Sequence, residues 1–168
     1  MKNEKEYPLS GNKVKALGKE IKNCIYSEKE IPQKNLLHLQ YYRNSFKNSL
    51  SEIFNIVSSE SKKIRKGRIV TSRIKRLETI INKLKREDNM YLSTMQDIAG
   101  CRCIVETDNQ AYKIEKALRQ SGLEFNDKRY KDYIKNTPKD GYKAIHLIAK
   151  SSEIKHVEIQ IRSIEHHN

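Results

Sequence analysis

The sequence predicts an α+β fold: a mixed β-sheet flanked by helices, preceded by an N-terminal helical extension. Three observations predict it. Residues 34–59 hold neither Gly nor Pro, and their apolar residues recur at three- and four-residue steps. From Ile98 the texture changes to short apolar runs of strand length. Between those runs lies another stretch of helical spacing, and strands separated by helices point to a mixed sheet with helices on it.

Taken in order, residues 1–33 are polar and punctuated by Pro8, Gly11, Gly18 and Pro32, with room for a short helix over 13–26. Leu36, Leu37, Leu39, Tyr42, Phe46, Leu50, Ile53, Phe54 and Val57 recur at three- and four-residue steps, which predicts one amphipathic helix over 34–59. The run Ser58-Ser-Glu-Ser-Lys-Lys and Gly67 read as a connector. Residues 1–60 thus form the extension and 61–168 the core. Leu77, Ile80, Ile81 and Leu84 place a second helix over 77–87. Ile98 to Val105 reads as a buried strand interrupted by Arg102. Asp108 or Asn109 is the expected cap of a helix over 110–120, which Gly122 stops. A strand is expected over 125–133, a turn at Pro138-Lys-Asp-Gly, and two strands over 142–150 and 154–163 joined by Ser151-Ser-Glu.

Composition narrows the function. The chain has 168 residues, 36% apolar and 33% charged, with a mean hydropathy of −0.83. No apolar stretch approaches the roughly 20 residues of a membrane-spanning helix, and the first residues lack the apolar core of a secretory signal. The three cysteines (Cys24, Cys101, Cys103) form no Cys-x-x-Cys pair, so a disulfide scaffold or cysteine zinc site is not expected, and a reducing cytoplasm is. The formal net charge is +13. Over 61–86 eleven basic residues face the single acid Glu78, a local +10 that attracts polyanions. From charge alone, a solvated lysine-rich helix face is the simpler account.

The chemistry-bearing residues lie further on. In Val157-Glu-Ile-Gln-Ile-Arg162, strand alternation puts Glu158, Gln160 and Arg162 on one face and the aliphatic residues on the other. In Asp97-Ile-Ala-Gly-Cys-Arg102, an acid precedes a small-residue turn into an apolar strand that carries an arginine. A buried arginine needs an anion. Arg102 can bridge to Glu158 or Asp97, or meet a phosphate or nucleobase. Tyr142 follows Gly141 and can offer its ring to a base or pack over a strand edge. His146, taken alone, is more often a satisfied core histidine.

The order and spacing of these pieces carry more than each alone. Arg73-x-Lys75, Lys83, Asp97-Ile-Ala-Gly-x-Arg102, Lys131-Asp-Tyr133-Ile, Gly141-Tyr142-x-x-x-His146 and Glu158-x-Gln160-x-Arg162 together resemble the synthetase domain of RelA/SpoT proteins, over about residues 67–167. The segment 1–60 looks like the helical lead-in of small alarmone synthetases. The resemblance implies transfer of the β,γ-pyrophosphate of ATP to the 3′-hydroxyl of GDP or GTP, making the alarmone (p)ppGpp, on a nucleotidyltransferase-like core. It implies that Arg73 and Arg102 clamp adenine and that Lys75 and Lys83 bind phosphate, with Arg86 a further contributor. It implies that Asp97 and Glu158 hold Mg²⁺, with Glu158 also activating the attacking hydroxyl. Tyr142 then stacks on the acceptor guanine, and Lys131, His146, Gln160 and Arg162 take acceptor-side or supporting places.

The chain departs from the family pattern at Pro138-Lys-Asp-Gly-Tyr142, one residue short and with Asp140 in place of Asn, and at Ala144 in place of Ser. Both changes lie on the acceptor side. Two alternatives therefore stand beside (p)ppGpp synthesis: pyrophosphorylation of the tRNA 3′ end, and a catalytically silent basic RNA-binding module. No His-Asp pair occurs, so (p)ppGpp hydrolysis is not expected. The chain ends at Glu165-His-His-Asn168 without a tryptophan, where members continue into Trp-Ala and further helices. The expectation is a core lacking those C-terminal helices, through which small members form homo-oligomers.

Overall fold

The computed structural model describes residues 9–166. Three helices come first: α1 (Gly11–Tyr26), α2 (Gln33–Asn44) and α3 (Lys47–Ile64). Then follow β1 (Ile69–Ile74), α4 (Leu77–Arg86), β2 (Ala99–Val105), α5 (Asp108–Arg119), β3 (Glu124–Phe125), β4 (Lys131–Asp132), β5 (Ala144–Lys150) and β6 (His156–Ser163). The readings at Met1 to Pro8 and at the last two residues lie outside the described residues.

The single helix expected over 34–59 is two. The Ser45 hydroxyl donates to the Tyr42 carbonyl at 2.6 Å, and Phe46 N–H donates to Arg43 O rather than one residue further back. A serine hydroxyl that competes for a helical carbonyl in this way breaks the ladder. Phe46 is buried at the break, edge-on to Tyr42 with ring centroids 5.2 Å apart. The polar run read as a connector is instead the last two turns of α3, so the helix passes through position 60 without interruption. Its polar groups find a partner in the returning chain. Arg68 donates to Ser61 Oγ at 3.1 Å and to Ser58 O at 2.9 Å, which lets Ser61 be fully buried.

The sheet is six-stranded and mixed, in order β1-β2-β6-β5-β3, with β4 also paired to β5. β1 is antiparallel to β2, β2 is parallel to β6, and β5 and β6 form an antiparallel hairpin. The strand β1 was legible only as an extended Arg-x-Lys. α5 is capped by Thr107, not Asp108 or Asn109: Thr107 and Gln110 form a reciprocal capping box. The Asp108 carboxylate instead accepts from Ser163 Oγ at 2.6 Å and Lys143 Nζ at 2.9 Å, tying α5 to the end of β6. The strand expected over 125–133 is two two-residue strands around a 3₁₀ turn at Asp127–Arg129. Arg119 holds that turn, its guanidinium 5.4 Å from the Phe125 ring centre and 5.3 Å from that of Tyr130, with an ion pair to Asp127.

Alternation along the strands gives the sheet two unlike faces. Cys101, Cys103, Val105, Ile145, Leu147, Val157, Ile159 and Ile161 are all buried, beneath the layer formed by α3 and α5. The intervening residues form the opposite face, where Arg102, Glu158, Gln160, Arg162 and His146 stand among Ile104, Ala144 and Ile148, and there the site is built.

Candidate functional site

Strand register sorts this face into rows. Arg73, Gly100, Glu158 and Ile148 pair successively across β1, β2, β6 and β5. One step along, Thr71, Arg102, Gln160, His146 and Lys131 form the next row, across β1, β2, β6, β5 and β4. Arg162 lies in a third row, between Ile104 and Ala144. Residues far apart in sequence are adjacent because the register aligns them, not because any loop carries them.

The two acids arrive from different places. Glu158 sits within β6. Asp97 precedes β2, where the backbone is held by a 2.7 Å bond from Lys75 N–H to Ile98 O that extends the β1–β2 pairing. That bond brings the Lys75 side chain to Asp97: Lys75 Nζ donates to Oδ2, and Lys83 Nζ, from α4, donates to Oδ1 at 3.0 Å. Burial alone would push the Asp97 carboxyl pKa up. The hydrogen bonds and charges of Lys75 and Lys83 outweigh it and hold the carboxyl below its ordinary value.

A relay of hydrogen bonds connects the second row to Glu158. Arg102 Nε donates to Gln160 Oε1 at 3.1 Å, and Gln160 Nε2 donates to Glu158 Oε1 at 2.6 Å. Arg102 thus reaches the acid through an amide, where direct pairing with Glu158 or Asp97 was the structural alternative.

Two cavities adjoin at the acids. One, of about 100 Å³, is lined by Arg73, Asp97, Gly100, Arg102, Glu158 and Gln160 among others. The second, of about 210 Å³, is lined by Lys83, Asp97, Arg129, Lys131, Tyr133, His146 and Glu158 among others. Asp97 and Glu158 line both. Tyr142 stands at the edge of the second: its hydroxyl is 2.8 Å from His146 Nε2, and its ring is 5.8 Å from those of Tyr133 and His146. The Arg162 guanidinium is 5.8 Å from the Tyr142 ring centre. Burial, with help from Arg102 and against Glu158, lowers the His146 pKa and favours neutral imidazole. Arg86 is exposed, pairs with Glu87 at 3.5 Å and lines neither cavity.

Sequence reasoning missed Arg129 and the role of Gly100. Arg129 sits in the 3₁₀ turn two residues before Lys131, and only that turn aims it at the second cavity. Part of the basic run is spent on structure: Arg65 pairs with Glu106, Lys63 with Glu60, and Arg68 caps α3 carbonyl and hydroxyl groups.

Two carboxylates on shared cavity walls are the hard oxygen donors that Mg²⁺ takes. No group of three or more His, Cys, Asp or Glu residues able to hold a metal occurs among the described residues. Asp97 and Glu158 are the residues that would hold such an ion, and a substrate would have to supply its other ligands.

A six-stranded mixed sheet flanked by helices is also the fold of small alarmone synthetases. Small alarmone synthetase 1 of Bacillus subtilis, solved with its product pppGpp, superposes with a TM-score of 0.63 over 76% of this chain and 74% of that one, at 23% identity. The structure of smu.1046c from Streptococcus mutans gives a TM-score of 0.60 over 74% of this chain and 70% of that one, at 26% identity. The chain belongs to the RelA/SpoT family: residues 72–168 match the model of the region found in RelA / SpoT proteins. Relatives are the GTP pyrophosphokinase YwaC of Bacillus subtilis, 31% identical over 69% of this chain, and the probable chloroplastic GTP diphosphokinase RSH3 of Oryza sativa subsp. japonica, 29% identical over 58% of it. The chain spans 62% of the former and 14% of the latter. No helix among the described residues is long and apolar enough to cross a membrane.

Proposed function

We propose that this chain transfers the β,γ-pyrophosphoryl group of ATP to the 3′-hydroxyl of GDP or GTP. The observation that carries the reading is the pair of cavities that share Asp97 and Glu158. A transfer between two nucleotides needs two pockets that open onto one reacting centre.

The first cavity takes the donor. Arg73 and Arg102, in neighbouring rows of β1 and β2, offer guanidinium planes to adenine. The donor's phosphates extend past Asp97 toward Lys75 and Lys83, which pair with that acid, Lys83 standing on the wall of the second cavity and Lys75 lining neither. The second cavity takes the acceptor, with Lys131 and His146 on its wall, Tyr142 beside it for stacking on guanine, and Arg162 behind the tyrosine. Glu158 accepts the 3′-hydroxyl proton as the oxygen attacks the β-phosphorus, the bond from that phosphorus to the α-phosphate oxygen breaks, and AMP leaves. Gln160 holds the Glu158 carboxylate in place. Asp97 and Glu158 are the residues that would hold Mg²⁺, which supplies charge neutralisation at the phosphates when bound. Neutral His146 can hydrogen-bond without adding charge beside the arginines.

The test is incubation with γ-³²P-ATP, Mg²⁺ and, separately, GDP, GTP or bulk tRNA, alongside Asp97→Ala and Glu158→Ala. Label in ppGpp or pppGpp, lost by roughly 10²–10⁴-fold in Glu158→Ala, supports the reading. Label on tRNA would move the acceptor to RNA. Nucleic-acid binding that survives Glu158→Ala, with no transfer to any acceptor, would favour a silent RNA-binding module.

A further inference from the structure

Both oxygens of the Asp97 carboxylate are occupied, one by Lys75 and one by Lys83. The side chains of Lys75, Lys83 and Asp97 are 10%, 17% and 22% exposed, so water competes weakly for these bonds. One lysine would neutralise the acid. The second, Lys83 on the wall of the second cavity, exceeds what Asp97 alone requires and can serve an incoming polyphosphate. A divalent cation approaching the free protein meets two ammonium groups in the places where it needs lone pairs.

We propose that Lys75 and Lys83 close the Asp97 side of the metal site until a nucleotide polyphosphate draws them off, so that the metal enters with ATP and not ahead of it. The inference rests on Asp97 being a metal ligand, as argued above. Each lysine is anchored independently of Asp97, Lys75 at the end of β1 and Lys83 on α4. Each carries its charge on a flexible four-carbon stem. Both exchange one charge-assisted bond for another when phosphate arrives, and the exchange frees both Asp97 oxygens together. Metal and nucleotide then strengthen each other's binding by a coupling that belongs to the protein and is reciprocal. Asp97, by this account, is held ready but unavailable, which keeps the nucleotide-free protein from loading metal that has no phosphate to neutralise.

The experiment titrates Mn²⁺, as a probe for Mg²⁺, into nucleotide-free protein and follows free Mn²⁺ by electron paramagnetic resonance. Wild-type protein is compared with Lys75→Met, Lys83→Met and the double variant Lys83→Met/Asp97→Asn, with circular dichroism confirming the fold of each. Lys83 pairs only with Asp97 among the described residues, so its variant keeps the fold even where Lys75→Met does not. The expected result is weak binding by wild type and a single Mn²⁺ site in the lysine variants, tighter by a factor within roughly 5–150 and abolished by adding Asp97→Asn. Wild type binding Mn²⁺ as tightly as the lysine variants would overturn the inference. A parallel arm uses Mn²⁺ with a non-hydrolysable ATP analogue. If that complex binds through Asp97 while the lysine variants gain nothing in the free protein, the closure is wrong and the metal site stands. If Asp97 holds no Mn²⁺ in either arm, both fall.

Discussion

Gly100 stands directly opposite Glu158 in the parallel pair of β2 and β6, and it stands opposite Arg73 on its other side. The row from Arg73 to Glu158 therefore has one position without a side chain, and the smaller cavity opens there. A Cβ placed on Gly100 would lie 3.5 Å from Glu158 O, an ordinary contact. The backbone thus accepts a side chain at this position. What glycine preserves is the space between a guanidinium and a carboxylate.

Gly100→Val follows from that gap. Valine suits a strand, so the melting temperature should hold or rise slightly. The side chain fills the floor of the cavity, so affinity for a fluorescent ATP analogue should fall at least about tenfold, ~1.4 kcal/mol. Tight analogue binding by a folded Gly100→Val protein would remove the donor assignment of this cavity.

Gln160 is held at both ends, by Arg102 at 3.1 Å and by Glu158 at 2.6 Å. Its amide has one workable orientation: turned over, it would set NH₂ against the guanidinium and carbonyl against the carboxylate. Gln160→Leu keeps the strand and removes the relay. The expected loss is in kcat, by about 10²-fold, with KM for ATP less affected, and smaller than the loss in Glu158→Ala. Equal kcat in Gln160→Leu and wild type would show that Glu158 needs no positioning.

Stability should fall in two stages as the solution is acidified. Burial holds the His146 pKa below its ordinary 6.5, so the unfolded imidazole takes up a proton first and stability is lost as pH drops below that value. His156 shifts the same way, through burial and Lys150. Asp97 is held below its ordinary 3.8 by the two lysines despite its burial, so its contribution is complete above that value and disappears as pH falls through the folded one. Calorimetry against pH should find His146→Asn weakening the first stage, with His156 supplying the remainder. Asp97→Asn should flatten the acid stage only.

Thiol chemistry offers a separate check on the core. Cys101 and Cys103 point into the helix-covered face, where burial pushes their thiols up to about 12 and about 11. Cys24 on α1 is half-exposed. Ellman's reagent should titrate one thiol quickly in the native protein and the other two only at the rate of opening. Fast reaction of all three would mean that α3 and α5 do not cover the sheet.

The periods in the sequence were legible where they were local. Alternation in 157–162 places Glu158, Gln160 and Arg162 on one face whatever the register, and helical spacing located α4 and α5. What depends on distant partners was not legible. Arg102 meets Gln160, 58 residues away in sequence, because β2 and β6 align at that register, and no local pattern states a parallel register. The break at Ser45 turns on one hydroxyl capturing one carbonyl. The polar end of α3 looked like a loop because Arg68, which satisfies it, arrives from the next element. Arg129 was invisible as a site residue because a 3₁₀ turn, and not a strand, aims it.

Ile154 is strained to no packing advantage. Its φ is +62°, in the left-handed region that disfavours β-branched residues, and it is 72% exposed. The β5–β6 turn imposes this conformation: Ser151 N–H donates to Lys155 O at 2.8 Å, Ile154 N–H to Ser151 O at 2.9 Å, and Lys155 N–H to Ser151 Oγ at 3.2 Å. The Lys155 ammonium also lies 4.8 Å from the Phe46 ring centre, fixing the turn against the α2–α3 break. Replacing the side chain at 154 leaves all of these contacts in place. Ile154→Asn should therefore stabilise the protein by about 1 kcal/mol, raising the melting temperature by roughly 2–4 °C. Ile154→Gly relieves the same strain but frees the unfolded chain, so its gain should be smaller. Ile154→Val keeps the branch and should change little. A drop in melting temperature for Ile154→Asn would mean that the exposed isoleucine is covered in solution, and that the turn is held by a contact of that side chain and not by its hydrogen bonds.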